Sequence, residues 1–316
     1  EGINKEDASV VADALVAADM RGIRTHGLSR IQKYIERIQQ GLIEKNQQVT
    51  EVKAKENIFL LDGNNSLGQV SGVYAMEKSI KLAKEFGIGV VATGNTNHFG
   101  IGAFYAMMAS QQDLIGFVCT NTSPLMAPFG GKEALLGTNP FAVAVPAKKY
   151  DDIVLDLATS VVARGKIEVA AREGNDIPMG WALDSKGNST KDAHKGLEGT
   201  VMPVGGPKGY GMALIIDILS GVLTHSAFLD DVGALSLRNK KQKLGFFMVA
   251  IDPNVFIKTN QFKETIDFYI ERVKHSEKAK GVEEIFLPGE IEARASYNNE
   301  KTGIDITEEL YNLLYN

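Results

Sequence analysis

Three residues near the N-terminus have types and spacing suited to acid–base chemistry on a small organic acid. His26, Arg30 and Tyr34 lie four residues apart, so a continuous helix would set them in one stripe. An imidazole moves protons near neutral pH, a guanidinium grips a carboxylate at two points, and a phenol makes a hydrogen bond. The same spacing also serves a plainer arrangement, with Tyr34 on an apolar face and Arg30 in a surface ion pair. A second histidine, His98, sits in GNTNHFGIGAFY (94–105). His26 and His98 are each followed closely by glycine in a polar setting, which lets an imidazole face a cavity. The chain's other histidines have blander surroundings: His194 in a polar loop, His225 after an apolar helix and His275 near a helix end. With H-E-x-x-H absent, no metal site is expected.

The glycine-rich stretches test for a nucleotide. A dinucleotide fingerprint needs G-x-G-x-x-G between strand and helix, and Tyr105 stands where the third glycine belongs. No acidic residue closes the next strand, since Cys119-Thr120-Asn121 is there instead. GGPKGYG (205–211) is no phosphate loop either, because Gly209 follows Lys208 where Ser or Thr is required. A lysine opening an apolar helix still suits an anion. Spacing alone leaves Lys208 open between that role and a solvated loop.

The elements that must position these residues follow from the pattern. Asn4 is placed to cap a first helix with acids in its opening turn. Ile31, Tyr34, Ile35 and Ile38 mark a second helix, stopped near Gly41. IFLLDGNN reads as a strand and turn, SGVYAMEKSIKLAKEFG as a helix closed by Gly87, and IGVVAT as a buried strand. Further strands are expected at LIGFVCT, FAVAVPA, IVLDLA and LGFFMVAID. Helices are expected after Gly100, over 161–172, 210–223 and 261–275, and at ITEELYNLLY near the end. Strands alternating with helices predict an α/β protein with a mixed or parallel sheet flanked by helices. The helical opening (1–56) and tail (285–316) are expected to pack together as a cap. Residues 57–284 then form the α/β region, with about 105–160 a candidate subdomain.

Composition narrows the partners. A net charge of −5 repels phosphate backbones, and no basic run is interleaved with aromatics, so nucleic acid is not expected. No apolar run approaches the ~20 residues of a membrane span, so no membrane partner is expected. Cys119 is the only cysteine, so no internal disulfide forms and the cytoplasm is the expected compartment.

RGIRTHGLSRIQKYIERIQQG, NTNHFGIGAFY, TNTSPLMAPFGG, GTNPFAVAVPA, DLATS and GGPKGYG occur in that order. Together they resemble the type-2 malate/L-lactate dehydrogenase family, over about residues 5–290. The resemblance implies an NAD(P)-dependent oxidoreductase whose cofactor fold is not the Rossmann fold, in agreement with the failed fingerprint. It implies that His98 and His26 are the active-site histidines and that Arg30, Tyr34 and Thr25 line the substrate pocket. Which histidine is the principal acid/base stays open, with His98 preferred. Asn121, Thr122, Ser123, Asp156, Leu157, Ala158, Thr159, Lys208, Pro288, Gly289 and Glu290 fall in segments that line NAD or NADP in the family. Malate and oxaloacetate are the expected substrate pair. The alternatives are another 2-hydroxy/2-keto acid pair of lactate, sulfolactate, ureidoglycolate or diketogulonate type, or a cyclic imine. A homodimer is implied as well. Thr25 stands where many members have serine, and the segment 229–243 matches no family pattern.

Overall fold

The computed structural model describes residues 1–46 and 48–315. Helices α1 (Lys5–Met20) and α2 (Ile31–Gln39) precede strands β1 (Thr50–Lys55) and β2 (Ile58–Asp62). Helix α3 (Gly68–Phe86), β3 (Ile88–Thr96), α4 (Gly102–Ser110), β4 (Ile115–Thr120), β5 (Phe141–Val145) and β6 (Ile153–Leu157) follow. A more irregular stretch holds α5 (Arg164–Glu173), β7 (Ala182–Leu183), β8 (Ser189–Thr190), α6 (Ala193–Glu198) and β9 (Thr200–Val201). Then come α7 (Pro207–Asp217), β10 (Leu244–Ile251), α8 (Thr259–Lys274), α9 (Glu290–Thr302) and α10 (Glu308–Tyr315). No described helix is long and apolar enough to cross a membrane.

The main sheet has seven strands in the order β1-β2-β3-β10-β4-β5-β6. It is mixed, and only β2 and β3 pair in parallel, joined by the α3 crossover. The C-terminal β10 slots antiparallel between β3 and β4, a placement that no local pattern reveals. Helices α3 and α4 cover one face, with α1 over them. The end of α7 and the wide π-type turn that continues it (Ile218–Val222) cover the other. Strand glycines let these layers close up. A Cβ on Gly116 would lie 2.3 Å from Ala106 O on one face, and one on Gly245 would lie 1.7 Å from Ser220 O on the other. Between the layers Val91, Val118, Phe246 and Met248 are fully buried.

A second apolar cluster lies in residues 126–213, where Met126, Leu136, Ile167, Ile177, Ala182 and Val201 pack around the three-stranded sheet β8-β7-β9. These two-residue strands are too short to announce themselves by alternation. The terminal segments touch, and the N-terminal one, read as helical throughout, ends in strand β1. Asn299 Nδ2 of α9 donates to the carbonyl of Met20 at 2.8 Å, satisfying the end of α1. Asn4 caps α1 by accepting from Asp7 N at 2.8 Å.

Two expected helices have other limits. The one placed at 161–172 begins at Arg164, because Ser160 bridges to Pro203 and Val161 N donates to Met202 O, which ties the chain before Arg164 to the 202–204 segment. The one placed at 210–223 starts at Pro207, whose fixed φ suits a first turn, and changes to the π-type turn after Asp217.

Candidate active site

Asp19, at the end of α1, shapes the loop that carries His26. Its carboxylate accepts from Leu28 N at 2.7 Å. Gly27 crosses so near that a Cβ would lie 2.1 Å from Asp19 Oδ1. Burial raises the Asp19 pKa, opposed by the Leu28 bond and by Arg24. This close crossing corrects the expected stripe. His26 ends a short 3-10 turn (Arg24–His26), a second turn covers Leu28–Arg30, and only Tyr34 lies on α2. His26, Arg30 and Tyr34 therefore do not share one helix.

Folding nevertheless brings them to His98. The His26 and His98 rings stack with centroids 5.6 Å apart and planes 25° apart. Tyr34 Oη meets His98 Nδ1 at 2.7 Å, and Thr25 Oγ1 meets His26 Nδ1 at 2.9 Å. Both Nδ1 atoms are thus occupied. Neither Nε2 has a protein hydrogen-bond partner among the described residues. Arg30 Nε donates to Thr25 O at 2.6 Å, and Arg30 pairs with no carboxylate among the described residues.

Burial and like charge keep both imidazoles neutral. Desolvation first, then the Arg30 guanidinium, lowers His26 from 6.5 to about 4. Desolvation, then His26 and Arg30, holds His98 well below the usual value. Burial raises the Tyr34 phenol, opposed by the Gln69 amide and by Arg30. The result is two neutral proton acceptors beside one fixed cation. Sequence reading did not find Gln242, whose Oε1 accepts from His98 N at 3.0 Å. It is far along the chain, in the 229–243 segment, which the motifs did not cover. That segment is held by the buried Arg37, which donates to Leu237 O at 2.6 Å and Lys240 O at 3.0 Å.

The loop after His98 behaves as the failed fingerprint implies. The start of α4, where a Rossmann fold would seat a pyrophosphate, is occupied by the chain's own Asp156, which accepts from Ala103 N at 2.8 Å. Burial raises the Asp156 pKa, against the Ala103 bond and the Arg21 charge. Asp156 also lines a pocket of about 240 Å³ together with Arg21, Ala103, Pro288 and Gly289. The Nε of the buried Arg21 has no partner there.

The other expected cofactor residues fall into a second neighbourhood. Thr122 N donates to Asn139 Oδ1 at 3.0 Å, and Asn139 Nδ2 donates to Ala213 O on α7. The Thr122 hydroxyl is buried and unpartnered. Thr159 Oγ1 donates to Thr138 O, and Thr159 O accepts from Val204 N just before α7. Lys208 is exposed in the first turn of α7, after Gly205 and Gly206 with φ of 60° and 62°. Leu157, Ala158 and Ser123 are half-buried, the first at the end of β6 and the other two in loops. Two residues are tied up by the protein itself. Asn121 donates to Asp217 Oδ1 and Ala227 O and accepts from Gly245 N. Glu290 is gripped by Lys274 and Arg294 at 2.6 Å each. An orphaned hydroxyl, an orphaned guanidinium nitrogen and an exposed helix-start lysine are donors that fit a phosphate-bearing cofactor. No cluster of three or more His, Cys, Asp or Glu able to hold a metal occurs among the described residues.

A mixed sheet without a phosphate loop, with a pair of stacked histidines beside an arginine, defines a non-Rossmann α/β protein. The chain belongs to the malate/L-lactate dehydrogenase family, whose sequence profile matches residues 1–315. It is 44% identical over 313 residues to an L-sulfolactate dehydrogenase of Methanocaldococcus jannaschii, covering 99% of this chain and 90% of that one. The solved structure of a sulfolactate dehydrogenase from that organism superposes with a TM-score of 0.94, covering 99% of this chain and 90% of that one. A malate dehydrogenase of Pyrococcus horikoshii is 41% identical, covering 96% of this chain and 86% of that one. An Escherichia coli O157:H7 protein named ureidoglycolate dehydrogenase (NAD(+)) is 32% identical, covering 99% and 89%. The chain is accordingly an oxidoreductase acting on CH–OH groups.

Proposed function

We propose that this protein interconverts a small 2-hydroxy acid and its 2-keto acid with NAD or NADP, and that malate/oxaloacetate and sulfolactate/sulfopyruvate are the leading pairs. The observation that carries the reading is the stacked His26–His98 pair beside Arg30, with His98 held by Tyr34. When bound, the nicotinamide accepts or returns the hydride at the substrate's C2. His98, kept neutral by burial, His26 and Arg30, takes the hydroxyl proton on Nε2 as the alcohol is oxidised and returns it in the reverse direction. His26 lies against it to hold the substrate oxygen, and Arg30 grips the C1 carboxylate. Thr122, Lys208 and Arg21 would hold the cofactor's phosphate and ribose groups, and Asp156 with Pro288 and Gly289 would shape the adjoining pocket.

The test follows nicotinamide absorbance with oxaloacetate, sulfopyruvate, pyruvate and a cyclic imine, each with NADH and NADPH. One fast keto-acid combination is expected. Turnover of the imine alone would overturn the substrate class, and binding of neither cofactor would overturn the reading as a whole. We also propose a homodimer. Met212, Ile215, Ile218, Val222 and Leu223 form an exposed apolar stripe along α7 and its π-type turn, larger than scattered surface residues warrant. Sedimentation at the monomer mass would refute it.

A further inference from the structure

The 229–243 segment reaches the active site through one side chain. Val232 and Leu244, on either side of the part that matters, are buried in the main core. Between them Gly233 N donates to Gln242 O at 3.1 Å, and a Cβ on Gly233 would lie 2.3 Å from Lys241 O. Residues 233–242 therefore form a loop whose ends touch. Gln242, at the closing end, is buried, and its Oε1 accepts from His98 N at 3.0 Å. Its Nε2 faces Gly233 O at 3.5 Å. A flipped amide would set donor against donor and acceptor against acceptor, so these two neighbours decide which end of the amide meets His98.

The far part of the loop is held by α2. Arg37 is buried and donates from Nη1 to Leu237 O at 2.6 Å and from Nη2 to Lys240 O at 3.0 Å. It pairs with no carboxylate among the described residues. A guanidinium so placed is costly to desolvate, and both of these bonds end on the loop backbone. Tyr34, three residues earlier on the same helix face, meets His98 Nδ1 at 2.7 Å. One helix thus reaches His98 by two routes. Tyr34 leads to the ring, and Arg37 leads through the loop and Gln242 to the backbone.

We propose that Gln242 is a positioning residue for His98, and that Arg37 sets the loop that delivers it. The proposal rests on the reading of His98 as the acid/base group. Held at Nδ1 alone, the ring could pivot about the Tyr34 hydroxyl whenever its backbone shifted. A second fixed point at His98 N removes that freedom and leaves Nε2 in one place. Proton transfer needs Nε2 within about 3 Å of the substrate hydroxyl, and a misplacement of about 1 Å can cost ~10²-fold in rate. The α3 side of the same loop is fixed separately. Asn97 Nδ2 donates to Ser66 O at 2.8 Å, and a Cβ on Gly68 would fall 2.4 Å from His98 O. The Gln242 bond adds a restraint from a different segment.

The test is a double-mutant cycle read in kcat, KM and NADH affinity by fluorescence, with the 2-keto acid that the panel selects. Each variant is assayed well below its own melting temperature. Gln242→Met removes the acceptor and keeps the bulk. It is expected to lower kcat about tenfold, the loss of one hydrogen bond, with KM and NADH affinity unchanged. Arg37→Met is expected to act in the same way, and the double variant to be no worse than Gln242→Met, because Arg37 acts through Gln242. Full additivity overturns the route through the loop. A loss confined to KM or NADH affinity overturns the proposal, because it makes Gln242 part of a binding wall. A purely structural Gln242 would lower the melting temperature and leave kcat untouched. Wild-type kcat in Gln242→Met, alongside an inactive His98→Ala, overturns this proposal alone. Wild-type kcat in both overturns the reading of His98 as well. Should Gln242→Met fail to fold, Arg37→Lys decides. One ammonium cannot hold both carbonyls as the planar fork does, so kcat is expected to fall with KM unchanged, and wild-type kcat overturns the proposal.

Discussion

Acidifying the protein from about pH 7.5 to about pH 5 should cost stability through His26. Its pKa in the folded protein is lowered to about 4 from 6.5 by burial and by Arg30. Between those values the unfolded chain binds a proton that the folded ring refuses. The contribution is therefore complete above the ordinary pKa and is lost as the pH falls through the window. Each pH unit within it is worth ~1.36 kcal/mol, so reaching pH 5 removes about 2 kcal/mol. His98, lowered for the same reasons, acts in the same direction. Urea unfolding at both pH values, at one protein concentration, compares the wild type with His26→Asn, whose amide does not titrate. The wild type should lose about 2 kcal/mol more than the variant on acidification. Buried carboxylates such as Asp19, Asp156 and Asp217, whose pKa values burial raises, are present in both proteins and cancel in the difference. Parallel losses in the two proteins would refute the account of His26 as a ring kept neutral by its surroundings.

Other perturbations separate substrate, chemistry and scaffold. Arg30→Lys should raise the keto-acid KM roughly tenfold with kcat little changed, because an ammonium cannot reproduce the two-point grip; an unchanged KM would place Arg30 outside the pocket. His98→Ala should abolish turnover while NADH binding, followed by fluorescence, survives. Gly289→Ala should destabilise the fold by about 2 kcal/mol or more, since φ is 85° and a Cβ would lie 2.7 Å from Val154 O; a melting temperature equal to wild type would show that the backbone there relaxes freely.

Much of this protein was legible in one dimension. Buried strands such as IGVVAT and LGFFMVAID announced themselves as apolar runs between turns, and the Asn4 cap and the Gly87 stop followed from local backbone chemistry. The failed fingerprint was legible too, since a missing glycine excludes a phosphate at α4 before Asp156 is seen there. The His26–Arg30–Tyr34 set was noticed for helical spacing, but the chain breaks at Gly27, and what unites these residues is their approach to His98. That approach depends on Asp19 beneath Gly27, on Gly68 of α3 pressed to the His98 loop, and on Gln242 arriving from the loop before β10. Gln242 carried no signal, because an amide's role depends on the partner across the gap, and a residue distant in sequence supplies that partner. Local sequence determined the long buried strands and the amphipathic helices, through side-chain periodicity and backbone preference, but not the exposed β1 or the two-residue β7, β8 and β9. Tertiary structure alone decided which nitrogen faces which hydroxyl, because those contacts join segments that only the packed sheet brings together.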